Sequence, residues 1–343
     1  MSLVTAGVEQ ELERYRVELT GYCYRMLGSG FEAEDAVQET MVRAWKNFER
    51  FEGRSALRSW LYRIATNVCL DMLGSAQRRA RPMELGPASN SPNSIGPTSP
   101  EVTPLAENVW LGPVPDSRVL PETSDPADMA VARETVRLAF VAALQHLPAK
   151  QRAVLILREV LAWSAQEVAE LLDTTVASVN SALQRARTTI AEISQTPAET
   201  LKPLDKDQLS LLARYVDAFE RYDMDSLATL LHEDATLSMP PLALWFRGIA
   251  NIRDWMLGTG NGCQGSKLVP TVANGLPAFG QYRTTGPWAL IVLEISNGRI
   301  AGVNNFLDVD RVFPLFGLPM EYDPAQASKA KEQYQLWAGG FNA

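Results

Sequence analysis

Histidine and cysteine are scarce in this 343-residue chain, with two histidines (His146, His232) and three cysteines (Cys23, Cys69, Cys263). The cysteines are far apart, odd in number and without CxxC spacing, which speaks against a disulfide framework and a structural zinc site. No metal and no cofactor is expected. Long apolar runs are also missing. No stretch approaches the length of a membrane span, and the opening MSLVTAGVEQELERYR has no signal-type apolar core, so a cytoplasmic protein without membrane contact is expected. Nor is there an excess of positive charge: the chain carries a net −8. Residues 1–81 and 131–196 are each near +1, 82–130 is −6 and 197–343 is −4. A segment near neutrality has little affinity of its own for the phosphates of DNA. A stand-alone repressor is disfavoured, and a subunit that borrows its grip from a larger partner is favoured.

With 46% hydrophobic and 21% charged residues, the chain has the composition of a globular protein, and its length suits two to three domains. Residues 9–30 read as one amphipathic helix with Leu12, Tyr15, Leu19, Tyr22, Cys23 and Met26 inward. The most informative stretch is Ala33–Asp71. Ala36, Val37, Thr40, Met41, Ala44, Trp45 and Phe48 recur as a buried helical stripe, and Asp35, Gln38, Glu39, Arg43 and Lys46 lie opposite. A second helix, with Ser55 as candidate N-cap, turns Leu57, Trp60, Leu61, Ile64, Ala65 and Val68 inward. Its outer face shows Arg58, Ser59, Tyr62, Arg63, Thr66 and Asn67. Rings interleaved with arginines suit unpaired bases, although an ordinary solvated helix has the same pattern.

The wording of these helices resembles region 2 of bacterial sigma factors of the extracytoplasmic-function (ECF) class. DAVQETMVRAW looks like the helix that docks on the clamp helices of core RNA polymerase, which would give that contact to Asp35, Gln38, Glu39, Arg43 and Lys46. GRSALRSWLYRIATNVCLD looks like the segment that melts and reads the −10 promoter element. By resemblance, Arg54, Ser55, Arg58, Trp60, Tyr62, Arg63 and Asn67 would hold the unpaired −10 strand.

Residues 82–130 are rich in Pro, Ser, Gly and Thr and have no hydrophobic period, so they read as a linker, averaging about 35–42 Å end to end as a flexible coil. Val109–Leu111 is a short apolar island in it, a candidate anchor. Helical patterns return in 131–196. Ser164 and Glu167 form a capping-box pattern, Asp173-Thr174 a turn, and Thr175 the N-cap of a longer helix. A short helix, a turn and a longer helix make the geometry that enters a major groove. Ser178, Asn180, Ser181, Gln184, Arg185 and Arg187 lie on the outer face, where Asn and Gln suit adenine and Arg suits guanine or phosphate. LPAKQRAVLILREV, SAQEVAELL and TVASVNSALQRAR resemble sigma region 4, the reader of the −35 element, which in the family also contacts the polymerase flap.

Residues 205–320 change character. Three helical patterns (one marked by Leu209, Leu212, Val216 and Phe219, a second by Leu227, Leu230 and Leu231, and Ile249–Leu257) alternate with strand-like runs at 236–239, 267–273, 278–283, 288–295 and 299–308. Asn297-Gly298 signals a type I′ hairpin. The order resembles the SnoaL-like/NTF2-like cone. The expected fold is therefore two all-α modules (1–81, 131–196) joined by an acidic linker (82–130), an α+β cone (205–320), and a tail (321–343) with one helix starting at Asp323-Pro324. Candidate pocket residues are Tyr215, His232, Trp255 and Asp308, with Asp217 and Arg247 as further polar candidates. No spacing ties any two into a catalytic pair. Protein docking, ligand sensing and catalysis remain open for this domain. The resemblance implies a non-enzymatic initiation subunit whose partners are core RNA polymerase and promoter DNA. An intramolecular contact of the cone with the sigma regions or linker is expected, and a separate anti-sigma protein is left open.

Overall fold

The structure is a computed structural model and describes residues 3–48, 51, 56–74, 78–96, 99–120, 125–193 and 206–339. It divides into two compact units, one of residues 1–79 with 116–198, the other of residues 80–115 with 199–343.

The first unit opens with α1 (Leu3–Glu13) and α2 (Arg16–Leu27), two helices where the sequence suggested one. Gly28, at φ 75°, ends α2 in the left-handed region. Ser29 caps α3 (Gly30–Asn47) through the Glu32 amide, and α4 (Leu57–Leu73) packs back on α2 and α3. Leu19, Tyr22, Met26, Ala33, Ala36, Val37, Leu61, Ala65 and Val68 make the core. The chain then leaves this unit through α5 (Pro82–Leu85) and re-enters at α6 (Asp116–Val119). A Cβ on Gly21 of α2 would meet the Val119 carbonyl at 2.5 Å, so only glycine admits this approach. Helices α7 (Pro126–Glu134), α8 (Leu138–Gln145) and α9 (Ala149–Leu155, followed by a wider turn to Val160) lead to α10 (Ala165–Leu171) and α11 (Val176–Ile193). The Ser164/Glu167 capping box and the Thr175 cap are both formed.

Two arginines sew the halves of this unit together. Arg25 of α2 is buried and donates to the Gly21 carbonyl and to Thr135 after α7. Arg152 of α9 is 4% exposed and donates to the Met26 carbonyl at the end of α2, to Gln145 Oε1 and to the Gln145 and Leu147 carbonyls. Desolvation lowers both guanidinium pKa values to about 10, so both remain charged at neutral pH.

In the second unit, α12 (Lys206–Arg221) and α13 (Met224–Leu230) precede β1 (Leu231–Ser238) and β2 (Trp245–Arg247), followed by α14 (Ile249–Leu257). Then come β3 (Lys267–Ala273), β4 (Leu276–Arg283), β5 (Gly286–Ser296) and β6 (Arg299–Phe306). The sheet order is β2-β1-β6-β5-β4-β3, antiparallel except for the β1–β6 pair. Asn297 (φ 50°) and Gly298 (φ 70°) form the expected β5–β6 turn, and Asn274 and Gly275 do the same between β3 and β4. Leu211, Leu212, Tyr215, Phe219, Leu227, Ile252, Trp255 and Met256 pack from the three helices onto Leu268, Phe279, Ile291 and Leu293 of the sheet. α15 (Val309–Leu315) and the turn after it cover part of the sheet around β4, where Tyr282 meets Phe313 edge-on at 5.3 Å. α16 (Pro324–Gly339) starts at Pro324, with Asp323 capping Ala325.

The flexible-tether reading of 82–130 is corrected at 80–115, which is built into this second unit. The Ala80 amide donates to the Val109 carbonyl (2.8 Å) and the Leu111 amide to the Ala80 carbonyl (3.2 Å), so the strap's two ends are clasped. Ile95 is buried in the core of the cone, and Thr259 Oγ1 bonds its carbonyl at 3.0 Å. Trp245 Nε1 donates to the Gly86 carbonyl, Leu105 N to the Pro241 carbonyl, and Val114 exchanges bonds with Asn274. The island at Val109–Leu111 is the clasp itself, with Trp110 and Leu111 buried. Composition missed this because single apolar anchors and backbone bonds leave no period.

Candidate functional site

Four surfaces hold the candidate residues. On α3, Asp35, Gln38, Glu39 and Lys46 are exposed as expected, and Arg43 is half-buried, paired with Glu39 (2.7 Å) and lying 3.7 Å from Asp71. One assignment is corrected: Trp45 is not in the buried stripe but 49% exposed, and Val42 is exposed beside it. The outer stripe is therefore Asp35, Gln38/Glu39, Val42 and Trp45/Lys46 at steps of three and four, a polar band with Val42 in its middle and Trp45 at its C-terminal end. An exposed indole rimmed by charges is the composition of an interface anchor.

On α4, Arg54 and Ser55 lie outside the described residues. Arg63 and Asn67 are exposed. Trp60 stands on Phe51 (5.0 Å) and Phe48 (6.5 Å) as a small aromatic cluster. Tyr62 and Thr66, read as outer residues, are fully buried. Tyr62 donates to Glu18 at 2.9 Å and packs against Tyr22 (5.1 Å) and Trp163 (5.0 Å), while Thr66 bonds the Tyr22 hydroxyl at 2.8 Å. Arg58 pairs with Glu18, and its guanidinium lies over the rings of Tyr62 (5.4 Å) and Trp163 (5.2 Å). Arg63 donates to the Glu170 carbonyl of α10. Residues 163–170 thus sit over the Arg58–Tyr62–Arg63 face, which explains the corrections: long-range cover widens the buried stripe. Burial and the Glu18 charge hold the Tyr62 hydroxyl well above its usual pKa, so it is a neutral donor.

On α11, Ser178, Asn180, Ser181, Gln184, Arg185 and Arg187 are all exposed, while Val179, Leu183 and Ala186 are buried beneath them. Arg187 is paired with Glu159, and Ser178 bonds Thr175 at the cap. Asn180, Ser181, Gln184 and Arg185 form an exposed stripe along the helix.

The fourth surface is a cavity of about 280 Å³ inside the second unit. Tyr215 and Trp255 line it, but His232 and Asp308 do not. His232 instead accepts from the Asp234 amide, and Asp308 sits exposed before α15. Asp217 is exposed and tied to Arg221, and Arg247 lies over the Trp245 ring. The wall is mainly apolar, with Phe219, Leu237, Met239, Ile252 and Val303 among its residues, and includes no carboxylate and no histidine. The polar members that sequence reasoning missed are Thr259, Gln281, Arg283 and Asn305. Gln281 and Arg283 stand two apart on β4, a signal for a shared face that only the sheet register makes visible. Burial pushes the Tyr215 hydroxyl pKa far up, so it stands in the cavity wall as a neutral hydroxyl.

Residues 12–79 match the family model for sigma-70 region 2, residues 137–190 the model for sigma-70 region 4, and residues 212–303 the SnoaL-like domain. Over 316 residues the chain is 44% identical to the ECF RNA polymerase sigma factor SigG of Mycobacterium tuberculosis, covering 90% of this chain and 82% of that one. It is 26% identical over 333 residues to SigJ of the same organism, covering 92% and 96%. The crystal structure of M. tuberculosis SigJ shares the fold, with a TM-score of 0.55 at 22% identity over 92% of this chain and 99% of that one. Among the described residues no helix is long and apolar enough to cross a membrane. With both sigma regions in order, the cone after them and a relative of this identity across nearly the whole length, the chain belongs to the ECF sigma factors, the subunits that direct RNA polymerase to promoters.

Proposed function

We propose that this sigma factor is restrained by its own SnoaL-like domain, which holds the connector between the two promoter readers in a shortened form. Sigma factors carry no catalysis of their own; they bring core RNA polymerase and promoter DNA together. The outer stripe of α3 meets the clamp helices, the α4 face receives the unpaired −10 strand, the stripe of α11 reads −35 base edges, and region 4 meets the flap. Promoter elements about 17 base pairs apart are separated by about 58 Å of duplex. A connector of 49 free residues reaches that span on stretching. With residues 81–109 looped out by the Ala80–Leu111 clasp, only about 20 residues remain, averaging about 22–27 Å as a coil and reaching the span only when drawn out almost fully, to roughly 66–72 Å, so the clasp removes nearly all the slack. The clasp is the observation that carries this reading.

The test keeps the full chain and substitutes Ile95→Glu, placing a carboxylate where the strap enters the apolar core. Run-off transcription with purified core polymerase should rise above wild type, and hydrogen exchange should quicken over 86–115. Quickened exchange with unchanged transcription would defeat the restraint reading.

For the −35 reader, Arg185→Ala should cost about 1–3 kcal/mol of discrimination. Its transcript yield should become indifferent to one base pair of the −35 element across a promoter library, with the −10 preference intact.

A further inference from the structure

We infer that the cavity of the SnoaL-like domain is a binding site for a small organic monocarboxylate, its apolar body in the cavity and its carboxylate on Arg283. The inference stands on the second unit alone and does not depend on the restraint reading.

The body is argued from size and lining. A cavity of roughly 150 Å³ lined by aliphatic and aromatic side chains holds one benzene ring. The 280 Å³ here takes a body of about twice that size, eight to ten carbons or two fused rings. Tyr215, Phe219, Leu231 and Leu237 are buried in its wall. Val102, Leu242, Arg283 and Trp288 are among the lining residues that retain exposure to solvent.

The head is argued from hydrogen-bond bookkeeping around the wall. Thr259 Oγ1 is spent on the Ile95 carbonyl, Gln281 Nε2 on Ser266 Oγ, and Asn305 Nδ2 on the Ser238 carbonyl. Arg283 is different. Its guanidinium lies 3.3 Å from the centroid of the Trp288 ring, and Nη2 reaches Cys263 Sγ at 3.2 Å, a weak acceptor. Its Nε is buried with no hydrogen-bond partner, and it forms no ion pair among the described residues. The guanidinium lies close against Gly262 in the turn at 259–263, where a Cβ would stand 3.2 Å from Nη1. A planar cation held flat on an indole, with donors unspent beside an apolar cavity, matches a carboxylate in geometry and sign. A neutral ligand of the same body would leave the guanidinium as it is.

Val102 of the strap is part of the same wall, and Asn93 Oδ1 lies within 2.7 Å of where a Cβ on Gly258 would stand. Ligand and strap therefore share one surface.

The test uses the full chain with decanoate, 1-decanol and decylamine, read by titration calorimetry and by thermal unfolding. Decanoate should bind at least tenfold more tightly than 1-decanol, and decylamine should bind least. Arg283→Met should reduce decanoate affinity at least tenfold and leave 1-decanol unchanged, which also shows that the variant is folded. Equal affinity for decanoate and 1-decanol, no decanoate binding in the wild type, or a decanoate affinity indifferent to Arg283→Met would each overturn the assignment. Transcription measured with and without decanoate reports separately on restraint, so failure of one reading leaves the other standing.

Discussion

Trp45→Ala is expected to weaken capture of core RNA polymerase by about 2–3 kcal/mol, roughly 30- to 150-fold, with the helical unit still folded. The indole is half exposed near the C-terminal end of the outer face of α3, one turn from Val42 and beside Lys46. In the free protein an exposed ring of this size contributes little to stability, so its truncation should move the urea midpoint by less than about 0.5 kcal/mol. At an interface the same ring removes large apolar area from water at small entropic cost, and the polar rim excludes solvent around it. Lys46→Ala, a rim charge, should mainly alter the association rate and its salt dependence. Measured by fluorescence anisotropy of labelled sigma factor titrated with core polymerase, equal affinities for Trp45→Ala and wild type would remove α3 as the polymerase face.

The same residue shows what a sequence discloses and what it withholds. The period of α3 correctly marks Ala36, Val37, Thr40 and Ala44 as its buried line. At about 100° per residue Trp45 lies roughly 120° around the helix from that line, on the side of exposed Gln38, so the spacing itself places it outside and its large apolar side chain, not the period, suggested burial. Tyr62 and Thr66 fail the other way. Their own helix offers no reason to bury them; Trp163, a hundred residues later, and Tyr22 do. Local signals with a backbone mechanism carried over intact, as with the Ser164 capping box, the Thr175 cap and the Asn297-Gly298 turn. Of the strap only the island Val109–Leu111 was legible as an anchor; the others, Ile95 and Val114, are single residues spaced without period among prolines. In the cavity, charge-bearing types drew attention to His232 and Asp308, yet the polar members are Thr259, Gln281, Arg283 and Asn305, two of them on β4.

Arg152→Ala should destabilise the helical unit by about 3 kcal/mol, seen as a lower urea midpoint at unchanged slope. The guanidinium is almost wholly buried, charged at neutral pH and answered only by oxygens: the carbonyls of Met26, Gln145 and Leu147 and the side chain of Gln145. Removing it strands four acceptors and opens a cavity, each a known source of large losses. Arg152→Met fills most of the space and isolates the lost hydrogen bonds, so it should recover only part of the loss. The functional sign is opposite. Met26 closes the second helix of region 2 and Arg152 stands in region 4, so this contact joins the two promoter readers. Readers that must grip elements about 58 Å apart on the duplex have to release each other first. On the proposed reading that release is driven by polymerase binding, and a tie weakened in advance leaves less to drive. At saturating core polymerase, Arg152→Met should therefore initiate at least as well as wild type despite its lower midpoint. An unchanged urea midpoint would show that the tie contributes nothing to the compact state. A loss of initiation in step with the loss of stability would show that the tie is kept in the working complex.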